Sequence, residues 1–225
     1  MKEKLSPLFL LASVGFTVCL IASNLFAAKI IHIFGLDLPG AVLIFPLSYI
    51  LNDCICEVWG FKKMRLVIWL AFAMNFFVVF SGQLLVWLPA AVFWNGAEHF
   101  NYMFSLAPRI AVGSLLAFLA GSGLNAFVMS RMKVLDKGRR FGLRAIVSSL
   151  VGEGADSLVF IPIAFWGLPA EALLTMMLSQ VSFKVVYEII VLPLTAAVVR
   201  KVKAYEGVDV FDKNISYNPF RITDL

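Results

Sequence analysis

Charge is scarce in this chain. Asp, Glu, Lys and Arg make up 15% of its 225 residues, against about 25% in an ordinary soluble domain. Histidine and cysteine are scarcer, with two and three residues. Cys54 and Cys56 form a lone C-x-C, Cys19 stands apart, and His32 and His99 are distant in sequence. That set excludes a zinc site and a disulfide framework. No G-x-x-x-x-G-K-[ST] run occurs, so ATP binding through a P-loop is excluded as well. Gly121-Ser122-Gly123 is only a weak match to a nucleophile turn. An intramembrane hydrolase built on Ser122 and His99 is the remaining catalytic alternative, and the expectation is that the chain is not an enzyme.

What fills the chain is apolar. Hydrophobic residues reach 61%, with 21 Phe, and mean hydropathy is +0.90. Such a chain has too little polar surface to cover a soluble globule. The first uncharged run, Leu5 to Ala28, would extend about 36 Å as a helix, enough for a hydrocarbon core of about 30 Å. It is also longer than the roughly 7–15 apolar residues of a secretory signal, so a retained first helix is expected. Six membrane spans follow, approximately 8–33, 40–60, 66–88, 107–130, 144–167 and 171–199. The expected fold is an all-α integral membrane domain over 1–200, followed by a cytoplasmic tail over 201–225.

Basic residues orient it. Lys2 and Lys4 precede the first span, and Lys62, Lys63 and Arg65 lie between the second and third. A third cluster, from Arg131 to Arg144, separates the fourth and fifth. Arg200, Lys201, Lys203, Lys213 and Arg221 follow the sixth. The other connections lack them, so the positive-inside rule puts both termini in the cytoplasm. These clusters read as anchors, and the net charge of +5 carries no implication of nucleic-acid binding. The third cluster divides the chain into two halves of three spans. Three is odd, so the halves enter the membrane in opposite senses, an arrangement that places solute sites near the midplane on discontinuous helices. Pro46 in span two and Pro162 in span five fit that pattern.

Eight charges interrupt the apolar runs: Lys29, Asp53, Glu57, Arg109, Glu153, Asp156, Lys184 and Glu188. Each costs about 2.5–3.5 kcal/mol at a helix centre, so such residues face a bundle interior and mark a path or a site. Asp53 and Glu57 stand one turn apart, Glu153 and Asp156 share a face, and Lys184 and Glu188 stand at i,i+4 and could neutralise each other. Lys29 and Glu57 lie near span ends and could snorkel. Together the eight bring five negative and three positive charges. The deficit points to protonated carboxyls, or to a proton or cationic solute completing the site.

Further motifs carry a resemblance. Ser23-Asn24 with Lys29, then Phe45-Pro46-Leu47-Ser48-Tyr49-Ile50 with Asp53, Glu57 and Gly60, resemble the VUT family of queuosine precursor transporters. So do Arg109-Ile110, Gly152-Glu153 with Asp156-Ser157, Ala164-Phe165-Trp166-Gly167, and Lys184, Glu188 and Pro193. The match covers nearly all of residues 10–200. It implies a multi-pass protein of the bacterial inner membrane that imports 7-cyano-7-deazaguanine, and also its 7-aminomethyl form, for tRNA modification. It implies no cofactor and no metal. The partners are the small 7-deazaguanine solute and the lipid bilayer, with homo-oligomerisation left open.

A guanine-type ring presents a ring N–H beside an exocyclic amine, and one carboxylate accepts both; its carbonyl takes a donor. On that chemistry Asn24, Asp53, Arg109, Asp156 and Lys184 are the expected binding residues. Glu57, Glu153 and Glu188 are expected to tune them or to carry a coupling proton. The alternative within transport is the binding subunit of an energy-coupling vitamin importer, which works only with ATPase partners.

Overall fold

The computed structural model describes residues 6–33 and 35–212. Helix α1, Pro7–Phe26, starts where the Ser6 hydroxyl accepts the backbone N–H groups of Leu8 and Phe9 at 3.1 and 3.3 Å. It ends short of the expected residue 33. Ile30–Ile33 instead form strand β1, paired antiparallel with β2, Leu36–Pro39. β-Branched isoleucines favour a strand, and Gly35 at φ 78° sits in the tight turn between Ile33 and Leu36. This ribbon is a small departure from the expected all-α architecture.

The region of the second expected span is split. A 3₁₀ turn over Gly40–Leu43 leads into α2, Phe45–Trp59. Pro46 lies in the first turn of α2, where its missing N–H costs nothing, and does not break the helix. The 15 residues of α2 span only about 22 Å. Twelve of them are buried, which makes α2 the central element of the bundle. Gly60, at φ 86°, reverses the chain directly into α3, Phe61–Trp87. Then come α4, Ala97–Leu135, α5, Phe141–Ala164, and α6, Ala170–Glu206. α5 runs unbroken with Pro162 in its last turn, so the discontinuous helix expected in the fifth span is not found.

Five helices, α1 and α3 to α6, are long and apolar enough to cross a membrane. Their outward faces carry Leu10, Val14, Val18, Phe77, Phe80 and Ile190, all more than half exposed in the isolated chain, as lipid-facing residues would be. Inside, Phe16 of α1, Phe72 of α3 and Phe118 of α4 meet with ring centroids 5.0–5.5 Å apart. The protein is a helical, multi-pass membrane protein.

α4 and α5 touch backbone to backbone. A Cβ on Gly121 would lie 2.6 Å from the Gly152 carbonyl oxygen and 2.6 Å from the Tyr49 hydroxyl. Gly121→Ala should therefore cost about 1–3 kcal/mol through overpacking. Gly123, on the same helix with nothing within 4 Å, provides the control. Thermal unfolding in detergent checks this; equal midpoints for Gly121→Ala and Gly123→Ala would contradict the close contact.

Candidate functional site

The polar residues of the bundle fall into three levels along its axis. On α2, Tyr49, Asp53 and Glu57 recur at every turn, with Phe45 one turn before them on the same face. Gln180, Lys184 and Glu188 repeat that spacing on α6. This i,i+4 recurrence puts each set on one helix face.

The first level, on the side of the ribbon, is a narrow pocket between the helices. Its polar walls are Ser23, Asn24, Ser114, Asp156, Gln180 and Lys184, and Phe45 and Phe160 provide flat apolar surface. Lys184 Nζ donates to Asp156 Oδ2 at 3.0 Å and stands 4.2 Å from the centroid of the Phe45 ring. Both members of this ion pair are buried, and the pair joins α5 to α6. The neutralisation of Lys184 by Glu188 weighed from spacing does not occur. Lys184 reaches across to another helix instead of along its own. Three further polar atoms of the pocket, Ser23 Oγ, Asn24 Nδ2 and Gln180 Oε1, are buried with no hydrogen-bond partner among the described residues. Buried polar atoms are normally paired, so this group is prepared for a polar guest.

The second level is acidic. Asp53 Oδ1 accepts from Asn125 Nδ2 at 2.7 Å, and the Ser122 hydroxyl donates to Asn52 Oδ1 at 3.3 Å. Glu153 is fully buried, and neither carboxylate oxygen has a hydrogen-bond partner among the described residues. Glu188, also buried, lies one turn beyond Lys184.

The third level is an ion network at the opposite end of the bundle from the ribbon. Arg144 grips Glu57 through two hydrogen bonds, 2.7 and 3.1 Å long, and Lys203 adds a third at 2.5 Å. Lys133 donates to the Glu57 carbonyl at 2.6 Å and to Asp209 at 2.7 Å. Burial opposes ionisation of Asp209, yet hydrogen bonds from Lys133 and Lys203 outweigh it and hold its carboxyl below the usual carboxylate range. The Asp212 carboxylate accepts the Phe61 backbone N–H at 3.0 Å and the Ser130 hydroxyl at 2.9 Å, while burial pushes its pKa up. The segment after α6 is thus strapped across the ends of α2 and α4 and the start of α3. Ser6 also donates to Glu206, which brings the start of α1 to this same side.

The expected site residues therefore separate. Asn24, Asp156 and Lys184 converge in the pocket, whereas Asp53, Glu153 and Glu188 lie in the acidic level. Glu57 does not snorkel, being buried within the ion network. Arg109 is exposed on α4, donating weakly to the Trp166 carbonyl at 3.4 Å, and does not line the pocket. Lys29 is exposed beside the ribbon.

Sequence reasoning missed Gln180, although its place one turn before Lys184 was an available signal. It also passed over Asn125, and it read Lys133, Arg144 and Lys203 only as anchors. Ser122 and His99 cannot act as a nucleophile and base within this fold. They are 23 positions apart on one helix, about 34 Å along its axis.

A narrow pocket with unpartnered polar atoms, inside a lipid-facing helical bundle, is the kind of site at which a multi-pass membrane protein takes a small solute. The family described as "Putative vitamin uptake transporter" matches residues 39–198, and the chain belongs to that family. It is 28% identical over 183 residues to a Bacillus subtilis (strain 168) protein named "Probable queuosine precursor transporter", covering 80% of this chain and 79% of the other. It is 27% identical over 180 residues to the Escherichia coli (strain K12) "Queuosine precursor transporter", covering 75% and 76%. A Haemophilus influenzae (strain ATCC 51907 / DSM 11121 / KW20 / Rd) relative of "probable" standing is 24% identical over 137 residues, covering 59% and 54%. No solved structure matches the chain.

Proposed function

We propose that this chain imports a queuosine precursor, 7-cyano-7-deazaguanine and also its 7-aminomethyl form, across the bacterial inner membrane. The names of its relatives support the class of solute. The observation that carries the reading is the convergence of Ser23, Asn24 and Gln180, all with unpartnered polar atoms, around the Asp156–Lys184 pair. Asp156 accepts the ring N–H and the exocyclic amine of the guanine-type edge, and Lys184 or Asn24 donates to its carbonyl. Phe45 and Phe160 receive the flat ring. Asp53, equally expected to read that edge, is here assigned to the level below.

All six helices cross the membrane in this proposal, α2 completing its passage through the 3₁₀ turn, with both termini cytoplasmic and the two three-helix halves inverted. The location of Lys133, Arg144 and Lys203 together at one end supports that orientation through the positive-inside rule. The ion network then seals the cytoplasmic side while the pocket lies towards the outside.

Binding of 7-cyano-7-deazaguanine to the purified protein tests the reading, with guanine as competitor. Saturable binding that guanine only partly displaces is expected, weakened at least tenfold by Asp156→Asn and by Gln180→Leu. Unchanged affinity in folded Asp156→Asn protein would remove this site. Uptake by the purified protein alone in liposomes separates a stand-alone carrier from a binding subunit that needs an ATPase partner.

A further inference from the structure

Glu153 is a buried carboxylate that the pocket does not use and no cation grips, and neither of its oxygens has a hydrogen-bond partner among the described residues. Its level is bounded by Asp53 from α2, Glu188 from α6 and the Asp156–Lys184 pair above. Tyr49 from α2 also faces this level, and α4 contributes only neutral groups there, Ser122 and Asn125. The carboxylates are close enough to act on one another: Asp53 is influenced by Glu188 and Glu153, and Glu153 by Lys184, Glu188 and Asp156. Among the described residues the cation acting on Glu153 is Lys184, which is ion-paired with Asp156. Asn125 Oδ1 and the Ser157 hydroxyl are also buried without partners among the described residues. An ionised Glu153 would have no hydrogen bond from any described residue to replace the water it lost, and the nearby cation Lys184 is already paired with Asp156.

We propose that Glu153 is a proton-binding site, with Asp53 and Glu188 beside it, through which solute import is coupled to proton influx. The coupling rests on the import reading above; the proton site does not. In the conformation described, Glu153 holds a proton on a carboxylate oxygen. That proton arrives from the pocket side and leaves towards the Glu57 end when the ion network there opens. Asp53 and Glu188 provide the acceptors along that path, one turn from Glu57 and one turn from Lys184 respectively. Glu57, also expected to be a proton carrier, is excluded from that role. Arg144 and Lys203 occupy both of its carboxylate oxygens with three hydrogen bonds.

Two measurements test this. Infrared difference spectroscopy of the purified protein should show a carboxylic-acid C=O band near neutral pH that disappears in Glu153→Gln. A band unaffected by that substitution would overturn the assignment, whatever the solute. In liposomes holding the purified protein, an imposed pH gradient, acid outside, should drive accumulation of 7-cyano-7-deazaguanine, and a sodium gradient alone should not. In Glu153→Gln, gradient-driven accumulation should fall at least tenfold, while solute binding stays within about twofold and solute exchange persists. Wild-type accumulation indifferent to the pH gradient would overturn the coupling. If 7-cyano-7-deazaguanine fails to bind wild-type protein, the solute assignment falls, and the infrared band still decides the proton site.

Discussion

Arg144→Ala should lower stability by about 3–5 kcal/mol, the cost of leaving a buried charge without its partner. Glu57 is 1% exposed, and Arg144 supplies two of its hydrogen bonds. Lys203 remains 2.5 Å from the Glu57 carboxylate, which holds the loss towards the lower end of that range. The damage should spread beyond one contact, because Arg144 also reaches Asp136 at 3.3 Å and the Arg139 carbonyl at 3.2 Å. Thermal unfolding in detergent gives the measurement. Adding Glu57→Gln to Arg144→Gln should recover part of the loss, since removing both charges is milder than stranding one. An Arg144→Ala protein as stable as wild type would mean that water reaches Glu57 and that this end of the bundle is not sealed.

Lys184→Met should have two separable effects. It strands Asp156 at 2% exposure and removes the cation from the face of Phe45, costing about 3–5 kcal/mol of stability. It also removes a donor from the pocket, and binding of 7-cyano-7-deazaguanine should weaken at least tenfold. The double substitution Lys184→Met/Asp156→Asn distinguishes these effects. Stability should return, because no buried charge is left unpaired, while binding stays lost, because the carboxylate that reads the ring edge has gone too. Unfolding midpoints and calorimetric binding on the same preparations report both. Wild-type affinity in folded Lys184→Met would take Lys184 out of the site and leave it a purely structural partner of Asp156.

Both predictions concern pairings that the sequence did not disclose. Spacing along a helix suggested Lys184 with Glu188, four residues on. The structure pairs Lys184 with Asp156, 28 residues away on α5. Glu57 was expected near the membrane surface, free to snorkel; it is instead tied to Arg144, 87 residues on, and Lys203, 146 residues on. In each case the deciding variable is how two helices cross and rotate against each other, and one-dimensional periodicity holds no information about that. The ribbon at Ile30–Pro39 was missed for a related reason. Its isoleucines resume the apolar run of α1 directly after Lys29, and their pairing with Leu36–Pro39 is a contact that periodicity along the chain does not show.

The sequence by itself determined the class of protein. Its long apolar runs cannot form a water-covered globule, and charges within them cannot be left facing lipid. Those two facts sufficed to expect a helical membrane carrier with an interior polar path, and the motifs around Asn24, Asp53, Glu153 and Lys184 sufficed to expect its family. Only the tertiary structure sorted the interior charges into a pocket, an acidic level and an ion network. Burial is a property a residue type can advertise, whereas a buried charge's partner depends on which neighbour packing places within about 3 Å, where hydrogen bonds form.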